Sequence, residues 1–207
     1  GDALTKAKLK ITDISGVAAT AGPGLIGGVA VGTVTAKAIA AARKIPYYAV
    51  NHLEGHALSP RLAEDISFPY LLLLVSGGHT QLLAVAGPGH YHRYGTTMDD
   101  AAGEAFDKCA KIMGLGYPGG PAIEKVARQG DAGAILLPRP LKDADHCHFS
   151  FSGLKTALAN KLRQLGGIDQ APLHDLAASL QAAIADCLAD RSQRAMRQFT
   201  TDYLANS

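Results

Sequence analysis

The chain is 207 residues long, 47% apolar and 18% charged, with 23 glycines and a net charge of +2. That length sustains one large domain or two small ones with a proper core, and the glycines form clusters without a three-residue period, which excludes a collagen-like or disordered chain. The charge is too mild to mark a nucleic-acid binder by itself, and three cysteines (Cys109, Cys147, Cys187) without a CxxC pair exclude a disulfide scaffold and predict a reducing, cytoplasmic setting.

In chain order, residues 1–13 are polar and read as helical. Val17–Thr20 predicts a short buried strand closed by Gly22-Pro23-Gly24, and Gly27–Lys44 a helix ended before Pro46. Tyr47–Val50 predicts a second strand, and His52–Ala63 a further helix. This alternation argues for an α/β layer architecture. The stretch Ile14–Ala36 is uncharged and long enough for a bilayer, but its Gly-Pro-Gly break and lack of aromatic anchors argue against a membrane span. The opening residues do not resemble a signal peptide either.

A boundary is expected at Ser67-Phe68-Pro69, separating residues 1–67 from 68–207. Beyond it, Tyr70–Val75, Thr80–Ala86 and Tyr91–Tyr94, joined by glycine turns, predict an antiparallel meander. The remainder predicts helices over Asp99–Met113, Pro121–Gln129, Ser152–Leu165 and about Leu173–Leu204.

Several stretches carry chemistry. His52 and His56 are four apart, so on a helix they share one face, as joint metal ligation requires; the same spacing also suits two half-exposed histidines at a helix start. A zinc protease would place its glutamate beside the first histidine, whereas Glu54 lies about 200° round the helix. Ser76-Gly77-Gly78-His79-Thr80 between two strands is either an anion-binding nest of backbone N–H groups helped by two hydroxyls, or a plain hairpin turn. Asp99 and Asp100 read as caps of the helix they open, which leaves Asp107 unexplained; it shares a face with Gly103, where a ligand could approach closely. Gly114–Pro121, with four glycines, leads into a helix whose free N–H groups suit an oxygen-rich ligand, with Glu124 one turn inside. His146-Cys147-His148 offers soft ligands, but alternate positions point to opposite sides. Ser152 is expected to cap its own helix, and Arg191, Arg194 and Arg197 to share one solvated face.

Together these stretches resemble one family, the tRNA N6-adenosine threonylcarbamoyltransferases (the TsaD group). The resemblance rests on Ala21–Leu25, Asn51–His56, Leu74–Thr80, Asp99–Lys108, Tyr117–Pro121 and Phe149–Thr156, which arrive in family order. It implies an actin-like ATPase fold, two related lobes around a nucleotide cleft, with residues 1–67 as the remainder of the N-terminal lobe and 68–207 as most of the C-terminal lobe. It implies a reaction in which threonylcarbamoyl-AMP donates its acyl group to N6 of the tRNA adenosine beside the anticodon, releasing AMP.

On this resemblance His52 and His56 are metal ligands, for iron or zinc. Leu74, Val75, Ser76, Gly77 and Gly78 line the adenylate (or ATP), with Asp107, Gly120 and Glu124 at its ribose and base, and His79 handles a proton. The implied partners are tRNA and the other subunits of a threonylcarbamoyl-transfer complex, in the cytoplasm and without a membrane. Family members also carry an opening phosphate motif, and a later nucleotide-contacting asparagine and metal-binding aspartate. The chain is therefore expected to be an internal piece, incomplete at both ends and inactive alone. The competing expectations are a metal-dependent endopeptidase, an ATPase of the actin-like or sugar-kinase fold, and a non-catalytic scaffold paralogue.

Overall fold

The computed structural model describes residues 2–205 and is mixed α/β. The chain divides into two compact units, residues 1–66 and 67–207. Among the described residues no helix is long and apolar enough to cross a membrane. The uncharged run Ile14–Ala36 is shared between a strand and a helix.

In the first unit, helix α1 (Asp2–Ala7) is shorter than the sequence predicts; Lys8 turns left-handed, and a 3-10 turn follows at Ile11–Asp13. The helix buries no residue, and one so short does not propagate without packing. Strand β1 (Val17–Gly22) leads into helix α2 (Ile26–Arg43), which crosses to strand β2 (Tyr47–Asn51). The strands pair in parallel, Val17 opposite Tyr47 and Thr20 opposite Val50, the expected product of a βαβ crossover. Lys44 closes α2 in the left-handed conformation, its N–H donating to the carbonyls of Ala40 and Ala41.

The single helix predicted after β2 is two, α3 (His52–Leu58) and α4 (Pro60–Ala63). Pro60 has no N–H for the carbonyl of His56, so the regular ladder stops there. The Ser59 hydroxyl donates to that carbonyl instead, at 2.9 Å. Among the described residues of this unit the buried side chains are small, Ala36, Ala40 and Ala57, while Leu25, Ile26, Val31 and Val34 are exposed.

The second unit opens with the predicted meander: β3 (Tyr70–Val75), β4 (Thr80–Gly87) and β5 (His90–Thr96), antiparallel in that order. Central β4 buries Leu82, Leu83, Ala84 and Val85. Helices α5 (Ala102–Ile112), α6 (Gly119–Ala127), α7 (Ser152–Gln164) and α8 (Leu173–Phe199) follow. The core joins Leu82 of the sheet to Cys109, Ile123, Leu158 and Leu180 from the helices and to Phe151 just before α7. Each such fully buried side chain contributes about 1.5–3 kcal/mol.

Helix α8 ends at Phe199 and passes into a π-turn over Thr200–Leu204, where one α-helix was expected to run on. On α8 the sequence expectation fails for Arg191. Its neighbour Arg197 is exposed, but Arg191 is 1% exposed, with its guanidinium donating to the carbonyls of Lys142, Ala144 and His146 and to the Asp190 carboxylate. A regular spacing of arginines does not show that an irregular segment carrying unpaired carbonyls folds over one of them.

Candidate functional site

In the second unit the glycine motifs meet along one face of α5. Gly103 and Asp107 lie one turn apart, and each touches a different loop. A Cβ on Gly103 would stand 2.8 Å from Cα of Gly77 and 2.9 Å from the carbonyl oxygen of Ser76, so only glycine lets the β3–β4 turn pack there. The close approach predicted at Gly103 is thus filled by the chain itself. One turn on, Asp107 Oδ1 accepts from the N–H of Gly119 at 2.7 Å. A carboxylate thereby answers one of the donors orphaned at the start of α6.

The β3–β4 turn is closed by its own side chains. Ser76 Oγ accepts from the N–H groups of Gly78 (3.3 Å) and His79 (3.0 Å), and the Ser76 N–H donates to the His79 carbonyl. Thr80, fully buried, accepts the N–H of Ala102 at the start of α5. Both hydroxyls expected to face an anion are therefore engaged within the fold. Leu74 is buried and Val75 exposed at the end of β3, Gly77 and Gly78 are exposed, and the His79 ring is half-buried.

Asp107 lines a cavity of about 320 Å³ with Lys108, Lys111, Leu115, Gly116 and Tyr117. Gly120 follows Gly119 in the first turn of α6. Glu124 lies apart: its carboxylate pairs with Arg128 at 2.9 Å and lines a separate groove beside Ala127, Ala178 and Gln181.

The expected caps are exchanged. Helix α5 begins only at Ala102, so Asp99 stands outside it and caps α7 instead. Its carboxylate accepts from the hydroxyls of Ser150 (2.5 Å) and Ser152 (2.8 Å) and from the N–H groups of Phe151 and Ser152. Partial burial raises the Asp99 pKa, but these bonds outweigh it and hold the carboxyl below its usual range. Asp100 pairs with Lys108 at 2.6 Å, and Glu104 with the same ammonium at 2.9 Å.

In the first unit, β2 runs directly into α3. Asn51 ends the strand and caps the helix, its Oδ1 accepting from Leu53 N (2.9 Å) and Glu54 N (3.3 Å). This cap orients His52 and His56, both exposed, so that their Nε2 atoms approach to 3.1 Å with the rings at 72°. Two imidazole nitrogens bound to one zinc ion at about 2.0–2.1 Å in tetrahedral geometry stand about 3.3 Å apart. The separation matches two adjacent positions of one coordination sphere, and it equally matches a hydrogen bond from the N–H of one ring to the bare nitrogen of the other. Among the described residues no group of three or more histidine, cysteine or acidic ligands converges.

Beside His52 lies a cavity of about 380 Å³ lined by Thr20, Pro23, Leu25, Gly28 and Gly32. Gly28 and Gly32 on α2 line this cavity; their spacing of four, readable in the sequence, stacks two bare positions on one helix face.

The three thiols are not ligands in waiting. All are buried and free, and burial is the main cause that pushes Cys109 up to about 12 and Cys187 up to about 11, with Cys147 raised as well. His146 and His148 sit with their rings 5.1 Å apart, each taken up by a backbone N–H: His148 Nδ1 accepts from Thr96 and His146 Nδ1 from His148.

These features define a mixed α/β protein with a paired-histidine face in one unit and two glycine loops gathered on a carboxylate-bearing helix in the other. The profile of the tRNA N6-adenosine threonylcarbamoyltransferase family, TsaD, matches residues 1–207, and the chain belongs to that family. Proteins with that enzyme's name from Brucella suis, Brucella ovis and Brucella canis are each 57% identical to it over 201 residues. The match covers 97% of this chain and 56% of each relative, so the chain spans about half the length of the curated relatives it matches.

Proposed function

We propose that the protein to which these residues belong transfers the threonylcarbamoyl group of threonylcarbamoyl-AMP to N6 of the adenosine beside the anticodon of tRNA. The amine nitrogen attacks the carbamoyl carbon, the acyl–phosphate bond breaks, AMP leaves, and the nitrogen gives up a proton. The observation that carries this reading is the α5 face, where Gly103 and Asp107 hold both glycine loops of the family motif on one carboxylate-bearing helix.

In this reading Leu74–Gly78 line the adenylate. Asp107, already aligned by Gly119, offers its second oxygen to a ribose hydroxyl, with Gly120 on the same ligand; Glu124, paired with Arg128 in a separate groove, is left out of that contact. His79 is the proton acceptor nearest the turn. His52 and His56 hold a divalent ion, iron or zinc, and Asn51 keeps their helix in place. When bound, the ion supplies Lewis acidity toward an oxygen of the acyl donor.

The finer fold belongs to the same proposal: an actin-like ATPase fold, with residues 1–67 from its first lobe and 68–207 from its second. So do the partner subunits, a cytoplasmic setting and inactivity of residues 1–207 alone. The endopeptidase alternative is disfavoured by Glu54, which follows His52 by two positions and so lies about 200° round α3.

The test is transfer to unmodified tRNA by the full-length protein, with metal content measured in parallel. The His52→Ala/His56→Ala double variant is expected to lose bound metal and most of its transfer activity. Undiminished metal occupancy in that variant would remove the ligand assignment, and an absence of transfer in the unaltered protein would remove the function.

A further inference from the structure

The loop between α5 and α6 is fixed at both ends. Helix α5 closes with a Schellman pattern: the N–H of Gly114 donates to Lys111 O (3.2 Å) and that of Leu115 to Ala110 O (2.9 Å), with Gly114 at φ +68°. Leu115 packs on the core. At the other end, Gly119 is bonded to Asp107. Between these anchors Tyr117 stands out with 87% of its surface exposed. An aromatic ring held out from an anchored loop loses apolar burial without gaining conformational freedom, and no packing among the described residues offsets that loss.

The charge around the ring is asymmetric. Lys108 is committed to Asp100 and Glu104. Lys111, exposed and lining the same cavity as Tyr117, pairs with no carboxylate among the described residues.

We infer that Tyr117 and Lys111 bind an unpaired nucleotide of the RNA substrate, its base stacked on the tyrosine ring and its phosphate at the lysine ammonium. The inference rests on the proposal that tRNA is the acceptor. A platform of aromatic face and uncommitted cation is the ordinary equipment for single-stranded nucleic acid. Asp107, assigned above to the adenylate, lines the same cavity, so the bound nucleotide would lie next to the acyl donor; the exposed ring face favours a strand over the small adenylate itself. A small ligand needs most of its surface enclosed, whereas a base in a strand has its outer face covered by the next base.

The experiment measures equilibrium binding of unmodified tRNA and, separately, of AMP to the full-length protein. The variants are Tyr117→Ala, Tyr117→Phe and Lys111→Gln, with melting temperature as the control for folding. Tyr117→Ala is expected to weaken tRNA binding about 5- to 150-fold, the range for loss of one base–aromatic stack, while AMP affinity stays unchanged. Tyr117→Phe keeps the stack and stays within about twofold of the unaltered protein on that same basis. Lys111→Gln should flatten the slope of log affinity against log salt by about 0.7, the loss of one single-strand phosphate contact. An equal or larger loss for AMP would assign the ring to the adenylate and overturn the inference, as would unchanged affinity for both ligands. Failure of the unaltered protein to bind tRNA at all would instead remove the functional proposal beneath it.

Discussion

Asp107 and Gly119 are locked together: the carboxylate accepts the glycine N–H at 2.7 Å, and a Cβ on Gly119 would stand 2.5 Å from Cα of Asp107. One residue therefore starts α6 and carries the charge assigned to the nucleotide. The two roles separate by substitution. Asp107→Asn retains an oxygen for the Gly119 bond but loses the charge, so the full-length variant should melt near the unaltered protein and bind AMP about tenfold more weakly, the scale of a hydrogen bond to a charged group. Asp107→Ala should lose stability as well. Calorimetry with AMP and with tRNA decides it: equal losses for both ligands in the asparagine variant would mean that the carboxylate is structural only.

This double role explains what could be read in the sequence. The period along α5 places Gly103 and Asp107 on one face, and the strands of the meander are bounded by glycine turns, so both were legible. The partners were not. Nothing local tells that Gly103 faces the Ser76–Gly77 turn, because that contact is set by how the sheet lies on the helix. By propensity Asp99 caps a helix that it opens itself, over Asp99–Met113. It instead caps a helix 53 residues away, where two serines and two backbone N–H groups converge on it. Local rules name the residue type that caps; only tertiary structure says which helix receives it.

Asp99 gives a pH dependence with a definite sign. Its folded pKa lies below the unfolded value of about 3.9, so the stability it contributes is present above pH ~4 and is lost as pH falls through the depressed folded pKa. Asp99→Ala in the full-length protein should lower stability at pH 7 by about 0.5–2 kcal/mol, the usual cost of a lost cap. The difference between variant and parent should shrink in acid. Denaturant titrations at pH 7 and pH 3 test this, and a difference that stays constant or grows toward pH 3 would contradict the assignment.

The cysteines should be inert in the native protein. With Cys109 raised to about 12 and Cys187 to about 11, the thiolate fraction at pH 8 is negligible, and burial blocks access to reagent as well. A colorimetric disulfide reagent at pH 8 should label none of Cys109, Cys147 and Cys187 until denaturant is added. Rapid labelling of Cys109 in the native protein would show that the helical core opens more readily than its packing implies.

Removal of the Arg191 side chain should be costly, because it serves a whole irregular segment. Its guanidinium donates to three carbonyls of the segment joining α6 to α7, those of Lys142 (2.5 Å), Ala144 (3.0 Å) and His146 (2.7 Å), and to the Asp190 carboxylate. Those carbonyls have no place in a helix or strand, and the fork fixes their geometry. The segment it holds leads directly into Phe149, whose N–H and C=O bond to Thr96 and Met98, and then into the Asp99 cap of α7. Arg191→Met fills similar volume but leaves the carbonyls without their donor and Asp190 without its cation. Loss of one partner from a buried ion pair costs about 3–5 kcal/mol; because Asp190 is 34% exposed, the lower end applies. Arg191→Lys keeps the charge but cannot reach the same acceptors with a planar fork, so it should recover only part of the loss. Chemical denaturation of the full-length variants measures both, and hydrogen exchange locates the effect. Faster exchange is expected first at Phe149, Phe151 and the opening turn of α7. A methionine variant as stable as the parent would show that the carbonyls find other donors and that Arg191 does not organise this segment.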